Sequence, residues 1–136
     1  MTKVLVPVDG SDMALRALRY AMEVADDIHI INVQPKADAP ALLLHMTQAD
    51  IDTMQHEHGQ SMLVEACKVL DDAGRPYRTH VLIGKPAVKI DRVAKSEGVD
   101  LIVMGTRGMS ALGNLALGST ATKVVHLAEV PVTLVK

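Results

Sequence analysis

The residues of this chain best suited to chemistry are glycines and hydroxyls near its C-terminus. Gly105-Thr106-Arg107-Gly108 is followed by nine residues and then Gly118-Ser119-Thr120, between the apolar run Leu101-Ile102-Val103-Met104 and a helical stretch. Glycines where a buried strand gives way to a helix let backbone N–H groups approach an anion, and the helix start adds the positive end of its dipole. With the Ser119 and Thr120 hydroxyls this is the composition of a phosphate cradle. An ordinary Gly-rich loop with Ser119 as a simple N-cap shares these ingredients, so spacing and strand context must carry the argument.

The elements that position this segment are short and regular. Val4 to Val8, Ile28 to Val33, Arg78 to Ile83, Leu101 to Met104 and Val132 to Val135 read as strands, most of them apolar at both parities, as parallel strands covered on two faces are. Helical segments alternate with them. The first, Asp12 to Ala25, follows Ser11 as N-cap and stripes Ala14, Leu18, Ala21, Met22 and Ala25 along one side. The second runs from Ala49 to Ala73, with Ile51, Met54, His58, Met62, Ala66, Leu70 and Ala73 on one face, and stops at Gly74. The third starts at Pro86 and ends before Gly98; the fourth spans Ser119 to Ala128 with Ala121, Val124, Val125 and Ala128 inward.

Strict alternation of this kind predicts an α/β fold: one domain over residues 1–136, an open five-stranded parallel sheet with helices on both faces, Rossmann-like. Ligands of such sheets sit beyond the carboxyl ends of the strands, where strand order reverses. Residues passing that filter are Pro7 to Ser11, Val33 to Thr47, Ile83 to Pro86 and Met104 to Gly118. The connection Gln34 to Thr47 is the longest and reads as a flap.

Neither common nucleotide loop fits. A Walker A loop ends in Gly-Lys-Ser/Thr, whereas Gly118 is followed directly by Ser119. A dinucleotide fingerprint belongs in the first strand-to-helix turn, which reads Val8-Asp9-Gly10-Ser11-Asp12. Asp9 is a candidate site residue because a carboxylate at the end of a buried strand must be exposed or accept hydrogen bonds; an Asx turn with Gly10 and Ser11, or a helix cap, is its structural alternative.

Gly105-x2-Gly108-x9-Gly118-Ser119 matches the nucleotide-binding signature of the universal stress protein family, and Val4-Leu5-Val6-Pro7-Val8-Asp9-Gly10-Ser11 resembles that family's first strand and turn. Gly84-x-Pro86 and Val130-Pro131-Val132 are similar as well, so the resemblance covers the whole chain. It implies an adenine nucleotide alpha hydrolase-like fold holding an adenine nucleotide, most often ATP, with or without magnesium, across the carboxyl edge of the sheet. Asp9 would accept from the ribose hydroxyls; Pro7, Val8 and the backbone at Val33 would frame the adenine; Gly105, Gly108, Gly118 and Ser119, with Met104 and Thr120, would hold ribose and phosphates. It further implies a homodimer through the terminal strand, Val130 to Lys136, an apolar edge that is a liability unless paired.

Other side chains add less. Arg107 is the nearest evident cation to a triphosphate, with an unpartnered surface arginine as the alternative, while Lys123 stands one turn, roughly 6 Å, beyond Ser119. Hydrolysis needs charge neutralisation and an oriented nucleophile. Asp100 precedes its strand and belongs at the opposite edge, and His126 is roughly 10 Å along the helix from Ser119. No catalytic residue and no metal site is assigned. His56 and His58 do not share a helix face, His29 and His80 lie in or before strands, and His45 with Met46 could approach the nucleotide from the long connection. Cys67 reads as a small buried hydrophobe.

Composition removes several function classes. The 136 residues are 49% hydrophobic, and 14 Lys and Arg against 16 Asp and Glu give a net charge of −2, so binding driven by nucleic-acid phosphates is unsupported. Tyr20 and Tyr77 are the only aromatics of the Phe, Trp and Tyr class, which removes base-stacking platforms too. One cysteine, no secretory pattern at the N-terminus and no membrane-length apolar run lead to the expectation of a cytoplasmic protein without a membrane partner. An adenylating enzyme would show Ser-Gly-Gly-x-Asp-Ser after the first strand. A receiver would need an aspartate where Ile83-Gly84 stands. The expected function is an ATP-binding regulatory protein of stress response with slow or no turnover; the alternative is a nucleotide-free dimeric adaptor.

Overall fold

The computed structural model describes residues 1–37, 45–106 and 117–136. Five strands, β1 (Lys3–Pro7), β2 (Asp27–Gln34), β3 (Tyr77–Ile83), β4 (Leu101–Gly105) and β5 (Val132–Val135), form one parallel sheet in the order β3-β2-β1-β4-β5. The order reverses between β1 and β4. Helices α1 (Asp12–Val24), α2 (Gln48–Met62), α3 (Val64–Asp72), α4 (Pro86–Glu97) and α5 (Ser119–Leu127) connect them.

Alternate side chains of each strand feed opposite cores. Val4, Val6, Val8, Ile28, Ile30 and Val103 pack with α1 and α3 residues including Leu18, Ala21, Ala66 and Leu70. Leu5, Ile31, Ile102 and Met104 pack on the other face with Ala87, Ile90, Ala94, Ala121 and Val124 of α4 and α5. That is why both parities are apolar, and each fully buried Leu or Ile contributes about 1.5–3 kcal/mol.

Helix ends follow local chemistry. Ser11 caps α1 by accepting from the Ala14 N–H at 3.2 Å, with Asp12 in the first turn. Arg75 finishes the other end, donating to the carbonyls of Met22 and Ala25. Thr47 and Asp50 form a capping box at the start of α2. Pro86 occupies the first turn of α4, and Gly98, at φ +63°, takes the left-handed cap after it.

The second helix differs from the sequence expectation. The single helix over Ala49 to Ala73 is two helices, broken at Leu63, which is itself buried. The stretch must cover two surfaces: α2 lies on β2 and β3, whereas α3 reaches α1. Gly59 rather than His58 meets the sheet, because a Cβ there would stand 2.5 Å from Val81 Cγ1; Met54 and His58 are exposed. Val125, expected inward, is also exposed, and the N-cap of α5 is Gly118, so Ser119 is its first helical residue rather than its cap.

At the amino end of the sheet, far from the strand ends that carry ligands, the structure joins two histidines that the sequence left apart. His29, only 1% exposed, stacks on His80 with centroids 5.2 Å apart, and its Nδ1 lies 2.9 Å from His80 Nε2. Asp27 Oδ1 is 3.4 Å from His29 Nε2, and Lys3 Nζ reaches both Asp27 and the Glu97 carbonyl. The ring-to-ring bond needs one nitrogen without a proton. Burial lowers the His80 pKa below its ordinary value, the facing His29 and Arg78 push the same way, and Glu97 opposes them.

Because the folded value lies below the unfolded one, the unfolded chain binds this proton first as pH falls. Stability is unaffected above the unfolded value of about 6.5 and declines below it, down to the folded value. Thermal melts between about pH 7.5 and pH 5 should show a falling Tm, and His80→Gln should flatten that fall. An equal slope in the variant would assign the acid sensitivity elsewhere.

Candidate functional site

The carboxyl edge is built from the end of β1. Val8 donates its N–H to the Ile31 carbonyl at 2.8 Å, so by the alternation of a parallel ladder the preceding residue faces β4. That residue is Pro7, which has no N–H to give. Pairing of β1 with β4 accordingly stops at Leu5 with Ile102, while β1 and β2 pair from Lys3 to Pro7. Two neighbouring strands whose ladder ends early leave a crevice between their carboxyl ends, at the point where strand order reverses.

Asp9 stands on one rim, exposed. Its Oδ1 accepts from the Ser11 N–H at 3.0 Å and from the Ser11 hydroxyl, which is the Asx turn that the sequence allowed. The helix cap is Ser11, not Asp9. Among the described residues, Oδ2 accepts nothing, so the carboxylate keeps capacity for an incoming hydroxyl. Gly10 sits at φ +83°, a conformation that glycine adopts freely, and Met62 Sδ lies 3.0 Å from where a Cβ would be.

Gly105 forms the opposite rim, beyond the buried Met104. A Cβ at Gly105 would lie 2.5 Å from Met13 Cγ and 3.3 Å from the Met13 carbonyl carbon, so its absence lets the first turn of α1 rest on β4. The next residue ties the edge together. Thr106 donates to the Val135 carbonyl at 3.0 Å and accepts from the Gly118 N–H at 2.7 Å, which brings the start of α5 to the end of β4.

Gly118 caps α5 with no side-chain bond, and its carbonyl accepts from the N–H and hydroxyl of Thr122. Its own N–H is spent on Thr106. The donors left at the start of this helix are therefore those of Ser119, exposed, Thr120, half-buried, and Ala121, buried. Val33 is half-buried at the end of β2, packed toward the α4 and α5 core. Pro7, Val8, Asp9, Met104, Gly105, Gly118, Ser119 and Thr120 thus border one edge around the reversal point, with Val33 one strand over. Arg107 and Gly108 lie outside the described residues, as does the middle of the expected flap.

Beyond β2, the chain is held by Gln55 of α2, whose amide donates to the Pro35 carbonyl and accepts from Ala37. His45 is exposed and Met46 half-buried just before α2. An open groove of about 480 Å³ lies between α2 and the end of β3, lined by Asp52, Thr53, His56, Glu57, Gln60 and Ile83; of the residues that passed the strand-end filter, Ile83 alone lines it, and none assigned to the nucleotide does. Among the described residues no three His, Cys, Asp or Glu side chains gather as metal ligands, and no helix is long and apolar enough to cross a membrane. Asp100 accepts from the Lys3 N–H at the amino end of the sheet, the edge expected for it.

The close contact at Gly105 makes a stability prediction. Gly105→Ala forces Met13 aside and should cost about 1–3 kcal/mol in urea unfolding, and adding Met13→Ala should recover part of it. An unchanged midpoint in the single variant would remove packing as the reason for this glycine.

Comparison with known proteins places this fold in a family. A model of the universal stress protein family matches residues 1–136. Universal stress protein MJ0531 of Methanocaldococcus jannaschii is 34% identical over 98% of this chain and 81% of its own length, and YxiE of Bacillus subtilis is 33% identical over 98% of each. The solved structure of MJ0577, also from M. jannaschii, superposes with a TM-score of 0.85 at 26% identity, covering 99% of this chain and 95% of that one. The family match along the full sequence, carried on a parallel sheet of the same topology, establishes that the chain belongs to the universal stress protein family.

Proposed function

We propose that this chain is a regulatory protein that holds an adenine nucleotide, ATP by preference, in the crevice between β1 and β4. The observation that carries this reading is the early end of the β1–β4 ladder at the point where strand order reverses. Pro7 ends the β1–β4 ladder, an exposed carboxylate stands on one rim and a helix start without a side-chain cap stands on the other. A ribose needs an acceptor for its hydroxyls, and phosphates need N–H donors near a positive dipole end.

Each residue has a part. Asp9 accepts from the ribose, Pro7, Val8 and Val33 frame the adenine, and Met104 with Gly105 forms the floor beneath the sugar. Gly118, Ser119 and Thr120, together with Gly108, cradle the phosphates, and Arg107 supplies positive charge. Universal stress proteins of this fold have been solved with cAMP, with dAMP in the Archaeoglobus fulgidus protein and with AMP in an Arabidopsis thaliana protein, which supports adenine as the common element.

Holding fits the edge better than turnover does. The Asp9 carboxylate is already committed to Ser11 through Oδ1, and His126 is exposed in the last turn of α5, away from Ser119. Magnesium, if it accompanies ATP, would be carried by the phosphates with Asp9 as the nearest carboxylate. Occupancy would act by favouring one state of the protein, which requires a difference in affinity between two states.

The second state proposed is set by assembly. β5 is an outer strand of the sheet, and Leu134 on it is 37% exposed. A homodimer through Val130 to Lys136 would cover this apolar edge.

Calorimetry with ATP and AMP tests the first part: the parent should bind, and Gly118→Val, which crowds the phosphate approach, should weaken binding at least about tenfold. A parent that binds neither nucleotide would leave the nucleotide-free adaptor as the reading. Sedimentation tests the second. The carbonyls of Pro131 and Val135 face β4, so the Leu134 N–H faces outward, and Leu134→Pro should leave the sheet paired but make the protein monomeric. A dimer that survives this change uses another surface.

A further inference from the structure

Asn32 carries no signal in the sequence, yet it is one of two buried polar side chains in the described cores, at 4% exposure. Its Nδ2 donates to the Val8 carbonyl at 2.7 Å, and its Oδ1 accepts from Gln34 Nε2 at 2.7 Å. The carbonyl can only accept, so the amide must present nitrogen to it, and the oxygen is then turned to Gln34. Space for this is made by Gly59: a Cβ there would lie 3.1 Å from Asn32 Oδ1 and 2.5 Å from Val81 Cγ1.

Val8 is where β1 leaves the sheet. Its N–H is the last one bonded to β2, and its carbonyl belongs to the peptide that leads into Asp9. The Val8 N–H lies in the Pro7–Val8 peptide, so its bond to β2 leaves the next peptide free to turn about Val8 ψ; holding the Val8 carbonyl fixes the plane of the Val8–Asp9 peptide, from which the Asp9 side chain departs. The Asx turn through Ser11 then fixes the carboxylate from the other side.

We infer that Asn32 is a positioning residue of the nucleotide site: by holding the Val8 carbonyl it sets the orientation of the Val8–Asp9 peptide, and hence where the Asp9 carboxylate meets the ribose. The inference rests on the nucleotide reading above for its ligand, but not for its geometry. Asn32 does not touch the ligand. It acts through Val8.

Asn32→Asp separates positioning from bulk. The substitution keeps size and shape but places a carboxylate oxygen against the Val8 carbonyl. Ionised, that oxygen repels the carbonyl; protonated, it donates to it as the amide does. Val8 from β1, Val81 from β3, Gly59 from α2 and Gln34 on its own strand surround the position, and none of these residues has an ionisable side chain. Burial without an opposite charge raises a carboxyl pKa, which brings the transition into a workable range.

Calorimetry with AMP should give the variant roughly tenfold weaker affinity than the parent at about pH 8, closing to within about threefold at about pH 5.5, both expressed as the ratio to the parent at the same pH. Asn32→Leu, of similar size and unable to titrate, should be weaker by a similar factor at both pH values, and it serves in place of the Asp variant if that fails to fold at the higher pH. Thermal melts alongside confirm that folded protein is compared. A ratio for Asn32→Asp that does not recover on acidification, or parent-like affinity of either variant at pH 8, overturns the inference.

Amide spectra of the ligand-free protein keep this result distinct from that of the nucleotide reading. In Asn32→Asp the Asp9, Gly10 and Ser11 signals should shift at the higher pH and return at the lower one. If the parent binds no nucleotide but these signals behave so, the nucleotide reading fails and the positioning of Asp9 stands. If they do not move, the positioning fails whatever the parent binds.

Discussion

The absence of one N–H group organises the site. A parallel ladder gives each inner strand alternate donors to its two neighbours, and in β1 the donor that would have extended pairing with β4 belongs to Pro7. The β1–β2 ladder continues to Val8 because that side uses the other parity. Hence the sheet stays closed on one side of β1 and opens on the other, and the opening coincides with the reversal of strand order. A residue with an N–H at this position could extend the pairing toward the carboxyl end and narrow the space that a ligand would occupy.

Around that opening, glycines and methionines act in pairs. Gly105 lets Met13 settle on the end of β4, and Gly10 sits under Met62, so two helices, α1 and α2, press on the two rims through unbranched thioether side chains. Methionine, unbranched and with three rotatable bonds, adapts to irregular gaps, which suits a rim where Gly10 takes a left-handed conformation. In a chain without Phe or Trp, these contacts do work that a rigid ring would do elsewhere. Gly105 also illustrates how one residue serves two demands. Its glycine identity is required by the packing of Met13, and it also leaves the strand end open to a ligand.

Much of this was legible in the sequence because it depends on local pattern. Strands apolar at both parities could belong only to a doubly covered sheet, and all five lie within a residue or so of the expected places. Ser11, Pro86 and Gly98 marked helix ends through chemistry confined to one turn. The Asp9 turn was legible for the same reason. What was not legible depends on register between strands. The break at Leu63 follows from which surfaces α2 and α3 must cover, a matter decided by strand order and invisible in a single apolar stripe. His29 meets His80 because β2 and β3 pair at Ile31 with His80, and no spacing within either strand announces that.

Asn32 and His29 share this origin, and together they explain the polarity of β2. Burying two polar side chains in a strand covered on both faces is costly unless each finds a partner. Both do, on different neighbours and at opposite ends: His29 meets β3 near the amino edge, and Asn32 meets the end of β1 near the carboxyl edge. Apolar packing between parallel strands tolerates small axial shifts, since one aliphatic surface slides over another at little cost. A hydrogen bond at 2.7 Å does not tolerate them. Two such bonds fix β2 along its own axis with respect to both neighbours, so the end of β1 that leads into Asp9 keeps its register although the surrounding core is almost wholly aliphatic.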